Sequence, residues 1–160
     1  MSGPQHVSAL RDDGKTLLKY VENMTTAALP GPGEADDALM AFQHRLCLTD
    51  KVENRVPWRP PPGYDPEDFL LLQRTMEAAG NDTDFFTRLP PASLASYGVP
   101  EERRKFCLCC GISVFSTDQP MLNKGWANAS WERKQEIIAD HTYFELGSFY
   151  YLSNDPRVPE

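Results

Sequence analysis

A chain of 160 residues has the length of one ordinary domain, and its formal net charge of -7 excludes generic binding to a polyanion such as nucleic acid. Hydrophobic and charged fractions of 41% and 24% are close to globular averages and exclude wholesale disorder, while 14 prolines imply a loop-rich chain with a modest core. No apolar run is long enough to cross a bilayer, and the polar stretch Met1–Asp13 lacks the hydrophobic centre of a secretory signal. The chain therefore reads as cytoplasmic, with its four cysteines reduced and Asn23, Asn81 and Asn128 chance matches to a glycosylation pattern.

Residues 1–16 are polar and carry Gly3, Pro4 and Gly14, which predicts a frayed start. Between Thr16 and Thr26, Leu17, Val21 and Met24 share a helical face, although Tyr20 and Val21 would also suit a strand. Residues 1–28 thus read as a weakly defined arm that can hold one short helix, and residues 29–160 as the main domain. Leu29-Pro30-Gly31-Pro32-Gly33 breaks any regular structure. From Met40 to Thr49 the period changes to two. Met40, Phe42, Leu46 and Leu48 fall on one face and Gln43, Arg45, Cys47 and Thr49 on the other, which predicts a strand from about Phe42. A short helix capped by Asp36 or Asp37 is the alternative for its first half.

Pro57, Pro60, Pro61 and Pro62 predict an extended connection. Asp65 then offers a cap, Pro66 suits the first helical position, and Glu67 and Asp68 favour the positive end of a helix over 66–79. Phe69, Leu72 and Met76 give that helix its apolar face, and Gly80-Asn81 its stop. A further short helix is expected within 83–94, and one or two short strands within 105–115 around Gly111. After a turn at 125–128, Asn128 or Ser130 caps a long helix to about Ser153. One apolar row holds Trp131, Ile138, Phe149 and Leu152, and a second adds Ile137, Phe144 and Tyr151, so this helix is expected to pack on more than one side. The fold class expected is α+β, mainly helical with a few short strands.

Few patterns carry chemistry unaided. Cys107, Cys109 and Cys110 are soft potential ligands, with Cys47 distant, but the two-residue spacer of a metal-binding pair is absent and buried inert thiols are the simpler reading. Gly31-Pro32-Gly33 begins like a dinucleotide fingerprint. Asp36 replaces its third glycine, Pro32 removes an amide donor and no hydrophobic strand precedes it, so a plain turn is expected. Arg45 on the polar side of the strand can hold a carboxylate or phosphate, or simply a structural ion pair. His6, His44 and His141 are isolated in sequence, and Arg103-Arg104-Lys105 follows two glutamates and reads as a solvated run.

Several stretches together resemble the FAD-dependent oxidoreductase family whose members are often called xanthan-lyase-like or heterodisulfide-reductase-like. They are Gly33-Glu34-Ala35-Asp36-Asp37, Arg45-Leu46-Cys47-Leu48-Thr49-Asp50, Asn54-Arg55-Val56-Pro57 and Pro62-Gly63-Tyr64-Asp65-Pro66. The match resumes at Phe115-Ser116-Thr117-Asp118 and closes on Tyr151-Leu152-Ser153-Asn154-Asp155-Pro156-Arg157-Val158-Pro159, its most specific part. The resemblance implies the cap or substrate-side portion of a flavoprotein lacking its Rossmann core. FAD is the implied cofactor, but the glycine-rich phosphate cradle is missing, so the chain alone is expected not to retain it. Redox chemistry would then need a flavin-binding partner, either a Rossmann-containing protein or another assembly such as a homo-oligomer. Arg45 and Arg55 would bind anionic substrate or flavin phosphate, while Asn54 and Asp118 would position polar groups. A non-catalytic interaction protein, or a relic of that family, is the alternative, motivated by an apolar helix face whose usual cover is absent.

Overall fold

The computed structural model describes residues 7–21, 31–35, 39–44, 46–49, 51–78, 106–108, 117–119 and 122–158. Within them the chain is mainly helical. Strand β1 (Leu46–Leu48) pairs antiparallel with β2 (Phe106–Leu108), and helices α1 (Leu70–Ala78) and α2 (Trp131–Asn154) supply most of the regular secondary structure among the described residues. The register sets Leu46 opposite Leu108, Cys47 opposite Cys107 and Leu48 opposite Phe106.

Local chemistry explains the helix starts. Asp65 accepts the Glu67 amide at 3.0 Å, and Pro66 occupies the first position of a 3-10 turn over Pro66–Phe69 that runs directly into α1. The Ser130 hydroxyl accepts the Arg133 amide at 3.2 Å and starts α2. Both caps satisfy an amide that a helix start otherwise leaves unpaired. At the far end of α2, the Asp155 amide donates to the Tyr151 carbonyl at 2.9 Å. The Arg157 guanidinium folds back on the Asp155 carboxylate through Nε and Nη2 at 2.8 and 2.9 Å and covers the Tyr151 ring. The closing motif thus acts as a clasp on the helix end.

The core gathers around Phe69. Its ring lies 5.6 Å from Tyr64, 6.0 Å from Tyr151, 6.1 Å from Tyr143, 6.4 Å from Tyr20 and 6.5 Å from Phe144. Leu72 and Met76 of α1 continue the same cluster. Each buried apolar side chain of this size contributes roughly 1.5–3 kcal/mol, and each well-placed ring pair about 0.5–1.5 kcal/mol more. Phe69 reaches this position because α2 carries glycine at 147. A Cβ there would overlap Phe69 Cζ and stand 2.9 Å from Cε2.

The N-terminal arm differs from expectation. Residues 8–18 form a tight hairpin-like turn, with Leu10 bridged to Leu17 and the Leu18 amide donating to Ala9 at 2.8 Å. Asp13 accepts the Lys15 and Thr16 amides, both at 2.8 Å, and Gly14 takes a φ of 66°. Arg74 of α1 pins this turn by donating to the Ser8 and Leu10 carbonyls and to Asp12. Residues 16–21 therefore form no helix, because Leu18 and Tyr20 turn into the core. Tyr20 adopts a φ of 70°, a conformation that costs about 1–3 kcal/mol and is held by burial of its ring against Phe144 at 4.7 Å.

The period-two reading of 40–49 holds only for Leu46–Leu48. Residues 40–44 are not a strand, and Met40 is 93% exposed rather than packed. Their polar atoms bond across to the loop before α2: the Asn123 amide donates to the Met40 carbonyl at 2.7 Å, and the Thr117 hydroxyl to the Gln43 side chain. Strand structure in 105–115 covers Phe106–Leu108, and the expected helix in 83–94 lies outside the described residues. On α2 the buried row is Ile137, Phe144 and Tyr151, with Ile138, Phe149 and Leu152 half-buried and Trp131 exposed. Much of the second face is covered by this chain itself, since Phe149 stacks on Trp58 at 4.9 Å and Tyr150 meets Tyr64 edge-on at 4.9 Å.

Gly147→Ala is expected to destabilise the fold by about 1–3 kcal/mol, because Phe69 has no free direction in which to retreat. Urea unfolding of Gly147→Ala, Phe69→Leu and the double variant checks this. The double variant should lose less than the sum of the singles.

Candidate functional site

Two places in the described structure combine polar groups with burial or concavity. The first is an open cavity of about 1100 Å³ between the N-terminal turn and the middle of α2. Leu17, Tyr20, Pro61, Leu122 and Leu146 supply its apolar wall, and Arg11, Lys19, Asp140 and Tyr143 supply charge and hydrogen-bonding capacity. A largely apolar concavity with a few polar groups is the usual form of a small-molecule site.

At the edge of this cavity Lys19, Asp68 and Tyr143 form one cluster. The Tyr143 hydroxyl donates to Asp68 Oδ2 at 2.8 Å and accepts the Asp65 amide at 3.1 Å. The Lys19 ammonium bonds the same Asp68 oxygen and stands 4.4 Å from the centre of the Tyr143 ring. Burial, with the hydrogen bond to Asp68 next in weight, pushes the Tyr143 phenol up to about 12. It is therefore a proton-bearing clamp at neutral pH and not a phenolate base. The cluster ties the N-terminal turn, the start of the 3-10 turn and α2 together.

The second place is a buried polar face of α2. His141, Glu145 and Ser148 follow at helical spacing and are all buried, with His141 0% and Glu145 1% exposed. Residues 40–44 lie over them. Phe42 stacks on the His141 ring at 4.4 Å and meets Trp126 edge-on at 5.2 Å. Glu145 Oε1 accepts the His44 amide at 3.0 Å and has His44 Nδ1 at 3.4 Å. Both ring nitrogens of His141, Glu145 Oε2 and the Ser148 hydroxyl have no partner among the described residues. An unpaired buried polar atom costs about 1–3 kcal/mol, so such a group of four is unusual in a folded domain.

Among the described residues to which the resemblance gave a site role, Asp118 is the one that bears on this face. It is half-buried, and its charge helps to push the Glu145 carboxyl up. Asn54 ends an exposed 3-10 turn over Val52–Asn54, and Arg55 follows it, also exposed. Arg45, Cys109 and Cys110 lie outside the described residues, while Cys107 is known by its backbone register opposite Cys47. Among the described residues no group of three His, Cys, Asp or Glu side chains is arranged to hold a metal. None of their helices is long and apolar enough to cross a membrane.

The described helix starts do not suit a flavin pyrophosphate. The 3-10 turn leading into α1 begins with Asp65, Glu67 and Asp68, and the start of α2 is taken by Ser130 and Glu132, whose carboxyl is held low first by its own amide and then by Ser130. Gly31-Pro32-Gly33 is a turn as expected, and Glu34 Oε2 occupies the Gly31 amide at 2.9 Å, where a phosphate oxygen would bind. No family model matches the chain, and neither a curated protein nor a solved structure does.

Sequence reasoning missed both places. His141 and His44 read as isolated because the fold, not spacing, brings them to one helix face. Two signals were present: Asp13-Gly14 is a turn dipeptide between Leu10 and Leu17, and His141, Glu145 and Ser148 recur at helical intervals.

Tyr143→Phe is expected to cost about 1–3 kcal/mol, since it leaves the Asp65 amide without its acceptor and Asp68 without one donor. The alkaline limb of wild-type stability checks the pKa direction. Tyr143 and Tyr64 are pushed up from 10 to about 12, and Tyr20 and Tyr151 are pushed up as well, burial leading in every case. The folded state therefore holds more protons than the unfolded above pH 10. Stability should fall as pH rises from 10 through 12, more shallowly in Tyr143→Phe.

Proposed function

We propose that this chain is the substrate-side portion of an FAD-dependent oxidoreductase and carries out redox chemistry only with a flavin-binding partner segment. The motif resemblance motivates the reading. The observation that carries it is that residues of two motifs, and the segment that leads into a third, far apart in sequence, gather around α2. Residues 40–44 lead into the Arg45–Asp50 motif and lie over His141 and Glu145. Thr117 of the Phe115–Asp118 motif bonds Gln43, and Asp118 acts on Glu145. The closing motif clasps the end of the same helix. The cavity beside Lys19 and Leu146 is the chamber proposed for substrate. Flavin would supply the electron chemistry when bound by the partner, and this chain's residues would bind and orient substrate.

A second reading is a non-catalytic interaction protein of the same ancestry. The exposed Leu39, Met40, Val52 and Val56, which flank β1 along the chain, favour it, because exposed large apolar side chains promote association.

Calorimetric titration of the purified chain with FAD is expected to show no stoichiometric binding. Adding a separately expressed glycine-rich strand–turn–helix segment should give a complex that retains flavin absorbance. Tight FAD binding by the chain alone would overturn the division of labour proposed here. Concentration-dependent association that vanishes in Met40→Ser/Val56→Ser, with no flavin-dependent complex, would favour the interaction reading.

A further inference from the structure

We propose that His141 and Glu145 form a buried, charge-neutral acid–base pair, with the proton on the carboxyl and the imidazole left as acceptor. The pair is independent of the flavin reading. It follows from the burial, the shared helix face and the missing partners of these two side chains.

The physical argument is one of solvation. A buried carboxylate or imidazolium is tolerated only when paired and hydrogen-bonded. Glu145 has one oxygen occupied by His44 and one with no partner among the described residues, and His141 has no partner at either nitrogen. No full positive charge is buried beside them among the described residues. His44 is partly open to solvent at the outer edge. The titratable groups that bear on the pair are His44 from the covering segment, Asp118 from the 117–119 turn and Asp140 from α2 itself. Burial is the largest influence on both groups and acts oppositely: it pulls His141 down from 6.5 and pushes Glu145 up from 4.5. The neutral combination is therefore the one the closed structure selects.

A buried carboxyl raised and a buried imidazole lowered, so that their proton affinities draw together, is the kind of tuning that acid–base sites use. Here the carboxyl can donate a proton and the imidazole can accept one, with the Ser148 hydroxyl one further turn along. Such a pair suits an uncharged hydroxyl or carbonyl group, because an anion would find no compensating charge. Phe42 covers the imidazole, so among the described residues it is segment 40–44 that a ligand would displace to reach the pair.

The signs of the proton linkage make the proposal testable. His141 binds fewer protons folded than unfolded from its lowered value up to pH 6.5, so by itself it makes stability rise with pH in that window. Glu145 binds more protons folded than unfolded from pH 4.5 up to its raised value, so by itself it makes stability fall with rising pH. In the wild type the two oppose each other. Urea midpoints should show that, relative to wild type, Glu145→Gln gains stability as pH rises above 4.5 and His141→Phe loses stability as pH rises toward 6.5. Each relative slope should approach about one proton at most.

If either variant fails to fold, side-chain NMR of the unmodified protein gives the answer directly. The expected result at pH 6 is a neutral His141 ring and a protonated Glu145 carboxyl. A His141 imidazolium beside a Glu145 carboxylate, or variant slopes of the same sign, would overturn the proposal.

Discussion

The contact between Phe69 and Gly147 is the constraint from which the described fold follows. Helix α2 places glycine where any side chain would collide with the Phe69 ring, and the ring becomes the meeting point of α1, α2, Tyr20 and Tyr64. Glycine inside a helix costs about 1 kcal/mol relative to alanine. That cost is offset by the close approach, because Phe69 then touches Tyr151, Phe144 and Tyr143 along one helix face.

The same contact positions both candidate sites. With Phe69 seated, Asp68 beside it is held within reach of Tyr143 and Lys19, and this closes the N-terminal turn onto α2 along the wall of the cavity. It also fixes the rotation of α2. Phe144 and Tyr151 face the aromatic core, so His141 and Glu145 face the segment 40–44 instead. A helix between two such unlike surfaces explains why its apolar pattern is broad and its buried side contains ionisable groups.

The motifs that resemble a flavin oxidoreductase acquire different kinds of role in this arrangement. The closing Asp155–Arg157 pair and the Asp65–Pro66 cap are structural, each completing a helix terminus. Thr117 and Asp118 are held against the buried polar face, whereas Asn54 and Arg55 lie at the surface beyond β1. Proximity to α2 therefore separates motif residues that sequence had grouped as one set. Acidic side chains and local caps occupy the described helix starts, so none of those starts suits a flavin phosphate.

The sequence by itself determined the features that depend on neighbours along the chain. Asp65-Pro66 and Ser130 marked both main helix starts, Gly31-Pro32-Gly33 marked a turn, and the expected mainly helical class with few short strands holds for the described residues. Tertiary structure alone decided the rest. The alternating pattern of 40–44 yielded to side-chain bonds with Asn123 and Thr117, because those bonds satisfied polar groups that a strand would have left to another partner. Residues 8–18 fold into a turn against α1 because Arg74, 62 residues beyond Asp12, supplies hydrogen-bond donors to Ser8, Leu10 and Asp12. The pairing of His141 with Glu145 was half legible as a helical interval. Its burial was not, since that depends on which face of α2 the Phe69–Gly147 contact turns toward residues 40–44.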